Sequence, residues 1–273
     1  MQTNDFDAYK AKLGLSDDKL TADLATLHRI HQAQHRRLPF ENSDIALGKG
    51  ISTDPSAIVE KLIYNERGGY CFELNGLLLM ALQNVGFDAK PLLARVHLSG
   101  TPSARTHQVV AVNLEGQVWI VDAGFGSNTP RSPIPFTTNA QITTDTQTLR
   151  FVRHPEFGHL LQLLTDPADE QWLDLYSLDF SPVQEADIVC GNFFTSASPA
   201  SHFTTSRVAA LPTSSGIITL ANYTLKIRHD DEVKVLTLDD NQSYLDALKR
   251  HFNIELNASY TDLALLPDEQ CNT

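Results

Sequence analysis

At about Asp88 the chain changes its periodicity, and that change limits the kind of fold open to it. Before it, apolar residues recur at helical spacing. Leu24, Leu27 and Ile30 mark one helix, Ile58 and Leu62 a second, and Leu74, Leu77, Leu78, Ala81, Leu82 and Val85 a third. Thr21 reads as the cap of the first, and Asp54-Pro55 opens the second in the usual order of cap and first-turn proline. After Asp88 come short apolar β-rich runs at 89–98, 107–113 and 118–121, then at 149–153, 159–164 and 172–178. Between them, 127–148 is rich in Pro, Thr and Asn and reads as a long loop. From about Asp187 a mixed region follows, with strands at 217–220, 223–227 and 233–238 and a closing helix at 240–252. The expected order is therefore a helical region over 1–87, a sheet or barrel over 88–186 and a mixed α/β segment over 187–273.

The third helix begins in an unusual way. Glu66-Arg67-Gly68-Gly69-Tyr70 leads straight into Cys71, which falls in or just before the first turn. Unpaired N–H groups and the helix dipole favour negative charge there, and so favour a nucleophilic thiolate. A small buried thiol is the ordinary alternative. Three cysteines in all, Cys71, Cys190 and Cys271, lack metal-ligand spacing. They point to no metal site and no disulfide framework, but to a reducing cytoplasm. The polar, acidic start does not read as a signal peptide, and no apolar run reaches membrane-spanning length. The net charge of −12 argues against nucleic acid and anionic membranes. An anionic ligand would need local backbone amides or a few placed cations.

A nucleophilic cysteine needs a base and a group to orient it. Of the ten histidines, His28, His31 and His35 lie on the early polar helix and call for no special role. His107 differs because of what faces it. Taking Leu114-Glu115-Gly116-Gln117 as the hairpin connection pairs Ala111 with Val118, Val109 with Ile120 and His107 with Asp122. Directly opposed Cβ atoms lie about 5 Å apart, within reach of a carboxylate–imidazole hydrogen bond. A buried pair that only satisfies itself and a catalytic base with its orienter both fit this pattern. The helix-start cysteine favours a Cys71–His107–Asp122 triad. After Asp122 comes Ala123-Gly124-Phe125-Gly126, where exposed N–H groups of a flexible backbone could form an anion nest or simply a strand-ending turn.

Together, Leu38-Pro39-Phe40-Glu41-Asn42, Arg67-Gly68-Gly69-Tyr70-Cys71-Phe72-Glu73, Arg105-Thr106-His107 and Asp122-Ala123-Gly124-Phe125-Gly126 resemble the arylamine N-acetyltransferases in order and spacing. Gly191-Asn192-Phe193-Phe194 and Ser201-His202-Phe203 extend the resemblance over essentially the whole chain. It implies an α+β fold with a papain-like cysteine core, built from a helical bundle, a central β-barrel and an α/β lid. It implies Cys71 as nucleophile, His107 as base and Asp122 as orienter. It further implies acetyl-CoA as cosubstrate, with no permanently bound cofactor, and a small aromatic amine or hydrazine as acceptor. The Gly124–Phe125–Gly126 loop would approach the CoA pyrophosphate, Phe40 and Phe125 would wall the amine cleft, and Glu41 and Asn42 would brace the fold. The same triad would also serve a ring-closing amide synthase or a cysteine amide hydrolase, and a non-enzymatic acidic scaffold is the remaining alternative.

Overall fold

The computed structural model describes residues 1–273 except 17, 18, 231, 239, 240, 265 and 267–273. Cys271 lies outside the described residues. The helices are α1 (Thr3–Leu13), α2 (Leu24–Arg37), α3 (Ser43–Ala46), α4 (Pro55–Val59), α5 (Cys71–Val85), α6 (Glu185–Ala197) and α7 (Asn241–Phe252). A π-helical turn, Glu60–Tyr64, continues α4. The strands are β1 (Phe40–Glu41), β2 (Asp88–Val96), β3 (Arg105–Leu114), β4 (Gln117–Val121), β5 (Ile134–Pro135), β6 (Gln141–Thr143), β7 (Thr148–His154), β8 (Gly158–Asp166), β9 (Gln171–Leu178), β10 (Val208–Pro212), β11 (Gly216–Ala221), β12 (Thr224–His229) and β13 (Glu232–Thr237). Among the described residues, no helix is long and apolar enough to cross a membrane.

Eight strands form one antiparallel sheet in the order β5-β4-β3-β2-β9-β8-β7-β6. Its two ends curl toward each other: the Phe136 ring beside β5 meets Phe151 of β7 at 5.1 Å, and Thr138 bridges Phe151. The result is a nearly closed barrel, filled by Val109, Ile120, Leu149, Phe151, Leu161 and their neighbours. Its outer face at β2 and β3 carries α5, and the largest core lies there, between the N-terminal helices and the barrel wall. A second sheet, β1-β10-β11-β12-β13, packs α7 against β10. Its first strand comes from residues 40–41, so the C-terminal sheet is stitched to the helical region.

Several local expectations are revised. Asp23, not Thr21, caps α2 by accepting from the Thr26 N–H at 2.8 Å, while the Thr21 hydroxyl donates to Asp23. The supposed loop at 127–148 holds two short strands, β5 and β6, because the curling sheet offers edges for them to pair with. The β3–β4 hairpin turns over only two residues, Glu115 and Gly116, both in the left-handed region at φ 52° and 81°. Val110 therefore faces Val121, and Leu114 faces Gln117. The predicted register is wrong by two residues, an even slip that leaves every side chain on its expected face.

Gly68 and Gly69 lie against residues 39–41, with the Gly69 N–H donating to the Pro39 carbonyl at 3.2 Å and the Glu41 N–H to the Gly69 carbonyl at 3.0 Å. A Cβ on Gly68 would stand 2.1 Å from the Pro39 oxygen. Gly68→Ala is therefore expected to cost about 3 kcal/mol through overpacking against rigid backbone, read as a lowered urea midpoint. An unchanged midpoint would show that the 39–41 segment can move away.

Candidate active site

Cys71 opens α5 with its thiol nearly enclosed, at 4 % exposure. What fixes that helix start is a buried charge cluster. Glu73 accepts from the Tyr70 N–H at 3.0 Å and from Lys61 at 2.7 Å, and Lys61 also meets Asp44 at 2.7 Å. Arg67 binds Glu41 at 2.8 Å and Asp44 at 2.9 Å. Three carboxylates thus share two cations. Burial, despite the bond to Lys61, pushes the Glu73 carboxyl up to about 7. Burial opposes the charge on Lys61, but Glu41, Glu73 and Asp44 outweigh it and push its pKa up. Both shifts follow from a cluster with one carboxylate to spare: Glu41 adds to the rise at Glu73, and the three carboxylates together hold Lys61 charged. Removing either cation would strand buried negative charge, which is why this part of the motif braces the helix start. Asn42 also braces the fold: its amide donates to the Phe203 and Ser206 carbonyls and accepts from the Val208 N–H.

His107 lies on β3 next to a bulge where Ala94 pairs His107 but Arg95 pairs Arg105, leaving Thr106 as the extra residue. Bulges re-aim neighbouring side chains, and this one sits beside the thiol, 3.8 Å from Cys71 Sγ to the Thr106 carbonyl. His107 Nε2 meets Asp122 Oδ2 at 2.8 Å, both groups fully buried. The two residues are diagonal rather than directly opposed, because of the two-residue register correction. The imidazole ring spans the difference.

Burial by itself would depress the His107 pKa. The Asp122 carboxylate, its hydrogen bond and the neighbouring Cys71 prevail and push it up to about 9. Burial also opposes ionisation of Asp122, yet His107, Asn75 and the Gly124 N–H hold its carboxyl below the usual carboxylate range. The site therefore favours an imidazolium between a carboxylate and a thiol at neutral pH.

Three residues at this site carry no role in the sequence reading. Asn75, one turn after Cys71, donates to Asp122 Oδ1 at 2.9 Å and to the Gln108 carbonyl at 2.6 Å, and accepts from the Ala123 N–H at 2.9 Å. The i, i+4 spacing from Cys71 was the available signal. The Tyr176 ring lies tilted 5.2 Å from His107 and edge-on 5.0 Å from Phe125, on the barrel side. His31 is the third. The expectation that α2 is a polar helix of unremarkable histidines fails, because His31 and His35 are buried and stacked at 5.4 Å. His31 Nε2 meets the Asp122 carbonyl at 2.8 Å. Burial pushes the His31 pKa down to about 4 and that of His35 well below its ordinary value.

The glycine loop after Asp122 is partly spoken for. The Gly124 N–H donates to Asp122 Oδ1 at 2.8 Å and the Ala123 N–H goes to Asn75, so neither is open to an anion. A Cβ on Gly124 would sit 3.0 Å from Cys71 Cα, so the bare backbone is what lets α5 approach the carboxylate. Gly126 is left-handed at φ 64° and stands against the Phe40 ring. Phe40 packs in the core at 5.9 Å from Phe203, whereas half-buried Phe125 lies 4.7 Å from the His107 ring. Gly191 of α6 fits against Phe72 and the Arg105 carbonyl, where a Cβ would come within 2.9 Å of the Phe72 ring.

An N-acetyltransferase family model matches residues 23–261. The arylamine N-acetyltransferase / N-hydroxyarylamine O-acetyltransferase of Salmonella typhimurium is 36% identical over 240 residues, covering 85% of this chain and 82% of that protein. The chain belongs to the arylamine N-acetyltransferase family. The arylamine N-acetyltransferase of Mycolicibacterium smegmatis is 32% identical, with 92% of each chain covered. The solved Salmonella typhimurium enzyme superposes with a TM-score of 0.88 at 30% identity over 96% of both chains. The Mycobacterium marinum enzyme, solved in complex with CoA, gives a TM-score of 0.85 at 28% identity, covering 91% of this chain and 92% of that one. As an arylamine N-acetyltransferase, the protein has the α+β barrel architecture of that family, and its helical region, barrel and second sheet form the same frame.

Proposed function

We propose that this protein moves an acetyl group from acetyl-CoA to the nitrogen of a small aromatic amine or hydrazine, by way of an acetyl group held on Cys71. The contact that carries this reading is the His107 imidazole, bonded to Asp122 on one side and neighbouring the Cys71 thiol on the other. In the first half-reaction the Cys71 thiolate, paired with imidazolium, attacks the thioester carbonyl. The C–S bond to CoA breaks, and the CoA sulfur takes the proton from His107. In the second, the amine nitrogen attacks acetyl-Cys71, neutral His107 accepts the proton that nitrogen loses, and the Cys71 thiolate departs. The thiolate–imidazolium pair is then restored. Asp122 keeps the ring in the useful tautomer and offsets its charge. The Cys71 N–H at the helix start is a donor for the oxyanion of each tetrahedral intermediate.

Phe125 is the proposed cleft wall, with Phe40 behind it, and the backbone around Gly124, Phe125 and Gly126 is the proposed approach for CoA. With the Gly124 N–H engaged by Asp122, polar contact to CoA would fall to the Phe125–Gly126 end. Residues 1–87, 88–186 and 187–273 are proposed as bundle, barrel and lid, and the scattered cysteines support a cytoplasmic setting.

Incubation with acetyl-CoA followed by intact-mass measurement tests the reading. One acetyl group should appear, map to Cys71 and vanish on adding an aminobenzoate or a hydrazide. No acetyl adduct, or CoA release at the same rate without amine, would replace transfer by another activity. Since His107 remains protonated up to about 9, the rate of enzyme acetylation should fall as pH rises through that value. Stopped-flow release of CoA thiol measures it, and a rate that keeps rising past pH 9 would contradict an imidazolium acid.

A further inference from the structure

Away from the proposed reaction, α2 presents His28, Gln32 and Arg36, spaced four residues apart, along one face. They line an open cavity of about 450 Å³ together with Trp119 of β4 and the segments around Arg131 and Asp145. None of Cys71, His107 or Asp122 lines it. The volume falls within the range of small-molecule sites.

Its chemistry is distinctive for a chain of net charge −12. Two guanidinium groups face one carboxylate. Arg36 reaches Asp145 at only 3.5 Å, with both side chains about one-third exposed, so that contact is weak. Arg131 is buried and spends its donors on neutral oxygens: the Thr146 hydroxyl at 3.1 Å, the Thr213 carbonyl at 3.3 Å and the Gly216 carbonyl. Part of its lining is apolar. Trp119 stands there with Pro133 and Pro135, held edge-on by the His28 ring at 5.8 Å, and His28 is itself tied to the Ser132 hydroxyl at 3.0 Å.

We propose that this cavity is a second ligand site, which takes a small planar aromatic carboxylate. The ring lies on the Trp119–proline wall, and the carboxylate takes the fork of Arg36 in place of Asp145, within the field of Arg131. A planar fork suits a carboxylate, and the surplus positive charge answers the repulsion of the whole chain.

Titrating benzoate and 1-naphthoate against the Trp172→Phe protein, so that Trp119 reports alone, tests the site. Saturable quenching is expected. Arg36→Gln should weaken binding at least tenfold while leaving acetyl transfer unchanged, and Asp145→Asn should tighten it several-fold by freeing Arg36. Alkylation of Cys71 should not alter it. The proposal is overturned by absence of saturable quenching, by equal binding in Arg36→Gln, or by loss of binding once Cys71 is alkylated, which would place the ligand in the catalytic cleft.

Discussion

Cys71→Ala should lower acetyl transfer by about 10⁴- to 10⁶-fold, the scale on which removing a triad nucleophile acts. Among the described residues, Cys71 is the buried cysteine. Cys190 is exposed on α6. The substitution removes a single buried sulfur, while the charge cluster behind Glu73 and the His107–Asp122 bond both remain. The variant should therefore fold, with unchanged circular dichroism and a melting temperature within a few degrees of the parent, and show no acetyl adduct by mass. An adduct appearing at Cys190, or transfer persisting within tenfold, would remove Cys71 from the mechanism.

Asp122→Asn should cost about 10⁴-fold in the acetylation step, because an amide in place of the carboxylate selects the wrong imidazole tautomer. The carboxylate is also the main force keeping His107 protonated, ahead of its hydrogen bond and Cys71. Its loss should move the fall in acetylation rate from about pH 9 toward the ordinary histidine range. A merely structural role would lower the rate without moving the profile, so the pH dependence is the discriminating measurement. Asn75 and the Gly124 N–H both donate to Asp122 Oδ1, and an Asn side chain can still accept there. The backbone should thus hold, and a collapse in stability without any change of profile would count against an electrostatic role.

The residues of this site are legible in the sequence to unequal degrees. Cys71 announces itself through helix periodicity and the glycines before it, both of which are local. His107 and Asp122 emerge from strand alternation across a short hairpin. That inference survives a register error of two residues because strand faces repeat with a period of two. An error of one would have set the two side chains on opposite faces. Asn75 stands in the same helix as Cys71, but its three bonds lead to β3 and to the end of β4, which no spacing along the helix reveals. His31 is harder still. It sits among polar neighbours on α2, and its burial depends on that helix packing against the segment that follows β4.

The sequence by itself determined the helix start at Cys71, the change to strands at Asp88, the face shared by His107 and Asp122, and the family. These rest on short-range periodicity, capping and motif spacing, which act within a few residues. Only the tertiary structure decided that Arg67 and Glu73 meet Glu41, Asp44 and Lys61 in one buried cluster. It also decided that Gly124 is bare because Cys71 must pass it, and that two arginines gather beside Trp119. Such contacts join residues tens of positions apart, and a buried charge or a missing Cβ has meaning only once its neighbours are in place.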